Sequence, residues 1–180
     1  MFGSMKNLLS YLAGDEGPRI KSDGYTRWLV TAALLTRAAT VHREMSEARQ
    51  KALYSVLRSS FGLDDRTMAR LIEESAAINR NAIDLYHFTR QLNETLNDDG
   101  RHQIVRMMWE IAYADGDADE FDANVIWRAA DLLGVSSRQR VELRQQVSAG
   151  RAAFARVGFG QAQSPASATA AIKCFAAPDQ

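Results

Sequence analysis

The sequence predicts an all-α protein, a bundle of about seven helices built from two pseudo-symmetric halves. Three observations predict it. Apolar residues recur at i, i+3, i+4 and i+7 through most of the chain, and no stretch holds the residue-by-residue alternation of a strand. Two segments, around 28–39 and 104–114, are apolar nearly all round, which suits helices enclosed by other helices. The order of apolar blocks and helix-stopping glycines in the first half returns in the second.

Taken in order, Met5, Leu8, Leu9 and Leu12 mark a short amphipathic helix over 5–16, ended by Gly14 and the Gly17-Pro18 pair. The next helix spans about 23–42 and carries Trp28, Leu29, Val30, Ala33, Leu34, Leu35 and Ala38. Ser46 is placed to cap a third, which bears Leu53, Val56 and Leu57 and ends at Gly62. Asp64 caps the following one, with Leu63 and Met68 at the spacing of a hydrophobic staple. A helix over about 83–96 leads to Asn97-Asp98-Asp99-Gly100, a turn supplied with capping residues. Its successor presents Ile104, Met107, Met108, Ile111 and Ala112 on one face and Val105, Trp109 and Tyr113 on another. Gly116 is expected to close that helix in the left-handed conformation. Asp119 caps the next, which ends near Gly134, and Ser136 with Gln139 has capping-box spacing for the last. From Gly158 onward Gly, Ala, Ser, Gln and Pro predominate without helical period. The helical domain is therefore drawn at 1–157 and residues 158–180 are expected to form a flexible tail.

The duplication rests on matched blocks. Leu34-Leu35, Ala38-Ala39 and Val41 correspond to Met107-Met108, Ile111-Ala112 and Ala114, and Phe61-Gly62-Leu63 corresponds to Leu133-Gly134-Val135. One extra residue lies between these blocks in the first copy. Each copy reads as a central helix, a turn, a capped helix, a glycine stop and a second capped helix.

Charge and cysteine usage narrow the function. Lys plus Arg and Asp plus Glu both number 22, so the chain lacks the positive excess that displaces counterions from a nucleic acid. Cys174 is the sole cysteine; no intrachain disulfide or thiolate zinc site can form, which fits a reducing compartment. No uninterrupted apolar run has the length of a membrane span or the pattern of a signal peptide, so a cytoplasmic location is expected.

Chemistry concentrates at one turn, Ala114-Asp115-Gly116-Asp117-Ala118-Asp119-Glu120-Phe121-Asp122, where five acids fall within positions 115–122. Crowded carboxylates repel one another unless they are solvated or meet a cation, and calcium or magnesium would supply one through hard oxygen ligands. Asp115, Asp117 and Asp119 share the alternate spacing that opens an EF-hand loop, but Glu120 stands where that loop needs glycine and Ile126 where it needs a bidentate Glu. An EF-hand is rejected; a simpler carboxylate site stands. The alternative is capping: Asp119 is a good N-cap, and Glu120 and Asp122 complement the helix macrodipole. In the first copy His42 stands at the position of Asp115 and Arg43 at that of Gly116.

Several blocks carry a family resemblance. Tyr113-Ala114-Asp115-Gly116, Glu120-Phe121, Ile126-Trp127-Arg128 and Ala130-Asp131-Leu132-Leu133-Gly134-Val135-Ser136 resemble the second half of TerB-like tellurite-resistance proteins. Asp84-Leu85-Tyr86-His87-Phe88-Thr89 with Leu92-Asn93 resembles their middle helix, and Phe61-Gly62-Leu63 the close of their first half. The resemblance covers about residues 5–148. It implies a TerB-like helical fold with internal pseudo-symmetry, and a divalent-cation role for acidic residues at Asp-Gly turns. Here that carries over to Asp115, Asp117, Asp119 and Glu120. It also implies a place in tellurite and stress resistance and a protein partner, a membrane-bound resistance component among the candidates. Related domains occur in co-chaperones. The first-half Asp-Gly turn of the family is His42-Arg43 here, which weakens any site needing both turns.

No catalytic set converges. His42, His87 and His102 lie in no motif with a nucleophile, so the chain is expected not to be an enzyme. Arg138, Arg140, Arg144, Arg151 and Arg156 make the last helix basic, suited to an acidic partner, to lipid headgroups or simply to solvent. Two readings follow from the residues: a cation-responsive adaptor, or a metal-free helical interaction module.

Overall fold

The computed structural model describes residues 24–40, 44–80 and 85–157. The expected helix over 5–16, the His42-Arg43 turn and the segment 158–180 lie outside the described residues. Within them are seven helices: α1 (Gly24–Thr40), α2 (Glu47–Phe61), α3 (Asp65–Arg80), α4 (Leu85–Thr95), α5 (Asp98–Ala112), α6 (Glu120–Leu132) and α7 (Ser137–Val157). No strand occurs among the described residues. The all-α expectation holds.

The two segments read as apolar all round are the two central helices. On α1, Val30, Ala32, Ala33, Leu34 and Leu35 are wholly enclosed, and on α5 so are Ile104, Val105 and Met107. Thr31 sits on the same buried stretch because its hydroxyl donates to the Arg27 carbonyl one turn back, at 2.9 Å. The packing repeats between halves. α1 lies chiefly on α3 and α4, α5 chiefly on α7, α2 crosses onto α5 and α6 onto α1. Each half thus supplies one central helix that the other half helps to cover, and α4 bridges by packing on both α1 and α6. Asn79 Nδ2 donates to the Ala33 carbonyl at 3.0 Å, and Asn93 Nδ2 to the Leu132 carbonyl at 2.8 Å, tying α3 to α1 and α4 to the end of α6.

The expected caps form. Ser46 Oγ accepts from the Arg49 amide, Asp64 Oδ1 from the Thr67 amide at 2.8 Å, and Ser136 exchanges hydrogen bonds with Gln139. Gly134, at φ 74°, ends α6 in a Schellman turn: the Val135 amide donates to the Ala130 carbonyl and the Gly134 amide to that of Asp131, both at 2.9 Å.

Two expectations are corrected. Asn97 to Gly100 is not a separate turn: Asn97 is the N-cap, its Oδ1 accepting from the Gly100 amide at 2.9 Å, and residues 98–100 are the first turn of α5. Asp98 and Asp99 suit that position because the positive end of the helix dipole faces them. Gly100 suits it because a Cβ there would lie 3.2 Å from the Leu96 side chain. Nor does Gly116 close α5. That helix ends at Ala112, with Tyr113 its right-handed C-cap and Ala114 N–H tightening onto the Ile111 carbonyl at 3.1 Å. Gly116 adopts φ 137° within the turn that follows.

Candidate functional site

The acidic turn links α5 to α6, and α2 passes beside it. Its residues serve separate roles. Asp119 is the N-cap of α6, accepting from the Asp122 amide at 2.8 Å. Asp122 completes a capping box by accepting from the Asp119 amide at 3.3 Å, with Asp in the place more often held by Glu or Gln. Asp117 and Glu120 are exposed. Loss of the cap in Asp119→Ala is expected to cost about 1 kcal/mol, seen as a lower melting temperature with the far-ultraviolet helical signal kept.

Asp115 and Asp122 both turn toward one cation that belongs to the protein. Arg49 projects from the first turn of α2, is only 1% exposed, and is among the largest fully buried side chains of the core. Its Nη1 and Nη2 donate to the two oxygens of Asp122 at 2.8 and 2.6 Å, a bidentate fork. Its Nε donates to both oxygens of Asp115 at 3.0 and 2.9 Å. Nη2 also donates to the Ala112 carbonyl at 3.1 Å, one of the carbonyls at the C-terminus of α5 that lack a helical partner. Ser46 Oγ, while capping α2, donates to Asp115 Oδ2 at 2.8 Å. One guanidinium therefore joins two carboxylates, the negative end of the α5 dipole and the entries of α2 and α6.

Electrostatics account for its place in the core. A cation in the first turn of a helix opposes the macrodipole, and burial strips it of water. The bidentate hydrogen bond that Arg49 donates to Asp122 outweighs the desolvation. It is the principal cause holding the Arg49 pKa above the ordinary guanidinium value; desolvation opposes it and Asp115 adds to it. A guanidinium is protonated across the ordinary pH range, and this pairing favours its charged form further.

The four residues expected to hold a divalent ion are not gathered on one point. Asp115 faces Arg49, Asp119 caps α6, and Asp117 and Glu120 are exposed on the turn. Among the described residues no three His, Cys, Asp or Glu side chains are grouped as a metal site. The donors present do not fit the cation that the resemblance implies: the two acids that do converge, Asp115 and Asp122, meet on a guanidinium.

Sequence reasoning missed Arg49, although a signal existed. The offset that sets His42 against Asp115 also sets Ser46 against Asp119 and Arg49 against Asp122, 73 positions apart. Ser46 and Asp119 are N-caps, and Arg49 and Asp122 are the third residues of their helices. Equivalent positions of two pseudo-symmetric halves meet only where both lie near the axis relating them, as Arg49 and Asp122 do. The void beside Arg49, lined by Leu35, Ala39, Met108 and Ile126, has room for about one water, far below what a small-molecule substrate needs. His87 makes an edge-on contact with Tyr86 on α4.

Residues 29–145 match the family model described as tellurite resistance protein TerB, which takes in α2 to α6, most of α1 and the start of α7. No curated protein and no solved structure matches the chain.

Proposed function

The chain belongs to the TerB tellurite-resistance family, and from that premise we propose that it is a non-enzymatic helical interaction module of a tellurite- or stress-resistance system. In this reading Arg49, rather than a divalent ion, neutralises its acidic turn. The observation that carries it is the buried guanidinium shared by Asp115 and Asp122. A cation that must enter between those carboxylates has to displace a charge already covalently attached to the fold. The turn is then a structural joint, and the module acts by the surfaces that this joint holds in register. A protein partner, a membrane-bound resistance component among the candidates, is the proposed target. No described helix is long and apolar enough to cross a membrane.

Calorimetric titration with calcium, magnesium and zinc tests the reading. The expected result is no saturable heat and an unchanged melting temperature in excess ion. Saturable heat that disappears in Asp115→Asn would restore the cation-responsive adaptor.

A further inference from the structure

We propose that the seam between α5 and α7 docks an acidic segment of a protein partner, with Arg144 and Arg151 as the two points that receive its carboxylates. The proposal deepens the interaction-module reading by naming a face and a partner chemistry, and it rests on that reading.

The seam is built on a pair of stacked rings. Trp109 and Tyr113 lie with centroids 5.7 Å apart and planes 27° from parallel. Arg144 sits over Trp109, its guanidinium carbon 5.0 Å from the ring centroid, while its Nε donates to the Tyr113 hydroxyl at 3.2 Å. Arg151 sits over Tyr113 at 5.7 Å, and its Nη1 donates to the Gly116 carbonyl at 2.6 Å. Both guanidinium groups are held in place, yet only by rings and uncharged oxygens. Among the described residues neither forms an ion pair. Their neighbours on the same helix differ: Arg138 pairs with Glu142, and Arg140 pairs with Asp131. α7 carries five arginines against one glutamate, and Arg144 and Arg151 are the pair that is both ring-seated and without a carboxylate.

This arrangement favours a carboxylate. A guanidinium on a ring face keeps its edge N–H groups for a planar acceptor and loses little further freedom when one arrives. Seven residues on a helix bring both groups to one side, about 10 Å apart along the axis, a span covered by about three extended residues of a peptide. A nucleic acid is disfavoured, because two arginines release few counterions from a phosphate backbone and the chain has no net positive charge to add to them. A bilayer is disfavoured as well. Trp109 and Tyr113 are buried beneath the arginines and offer no apolar surface to insert into lipid.

Fluorescence anisotropy of the full chain with a labelled oligoglutamate peptide at low salt tests this, with oligoglutamine, a single-stranded oligonucleotide and phosphatidylserine vesicles as parallel probes. The expected result is saturable, salt-sensitive binding of oligoglutamate alone. Affinity should fall about tenfold in Arg144→Gln/Arg151→Gln, with no change in Arg138→Gln. Circular dichroism checks that the double variant is folded; Arg151→Gln alone, at an exposed position, decides the matter otherwise and should still weaken binding. No binding of oligoglutamate, or equal binding by wild type and variants, overturns the proposal. So does binding of oligonucleotide or vesicles that these substitutions abolish while oligoglutamate stays unbound. A failure here leaves the cation titration untouched and removes the face only. Divalent-ion heat with oligoglutamate binding intact would remove the counter-ion reading and keep the face.

Discussion

Arg49→Met is expected to lower the stability of the protein by about 3–5 kcal/mol, the loss that follows when one partner of a buried ion pair is removed and the other stays. Methionine fills much of the same volume, so a cavity contributes little and the effect isolates charge. Asp122, whose side chain is 8% exposed, would keep its place in the α6 cap without the guanidinium that meets both of its oxygens. The Ala112 carbonyl would lose its donor as well. Asp115, at 21% exposed, can recover water and contributes less. For a domain of this size the loss corresponds to a melting-temperature drop of roughly 10 °C. Arg49→Lys should recover only part, because an ammonium cannot form the planar fork on Asp122. The double variant Arg49→Met/Asp122→Asn should be more stable than the sum of its single changes predicts, since each removes the charge that the other leaves exposed to a low dielectric. Denaturant unfolding of the four proteins measures this. Strict additivity would mean that the two side chains do not interact as described.

Trp109→Ala is expected to cost a comparable amount, about 3–5 kcal/mol, for a different reason. The indole, in the C-terminal third of α5, is 1% exposed and stacks on Tyr113. Truncation removes its transfer free energy and leaves a hole that a helix packed against α1, α2, α6 and α7 cannot collapse to fill. It also removes the ring beneath Arg144. Trp109→Phe keeps an aromatic surface and should lose less than half as much. The urea midpoint should fall with the slope of the transition unchanged. A loss below about 1 kcal/mol would contradict the interior position of α5.

The helical content and most of the helix ends could be read locally. Ser46, Asp64, Asp119 and Ser136 act as the caps their spacing indicated, because a cap is a contact over three residues. The two apolar-all-round segments became the central helices for an equally local reason: a helix without a polar face has no orientation that leaves it at the surface. Reading failed where several local signals agreed on position but not on role. Asn97-Asp98-Asp99-Gly100 looked like a turn, but Asp98 and Asp99 serve equally well in a first helical turn, where the Asn97 cap places them.

At the acidic turn the division is sharper. Composition and spacing alone determined that five acids crowd one bend and that some need a counter-charge. For Asp115 and Asp122 the tertiary structure brings up an arginine, 66 and 73 residues away in the chain. The physical reason is range. Backbone conformation and capping depend on neighbours a few positions away, whereas the partner of a buried charge is chosen by whichever helix the fold brings within hydrogen-bonding distance.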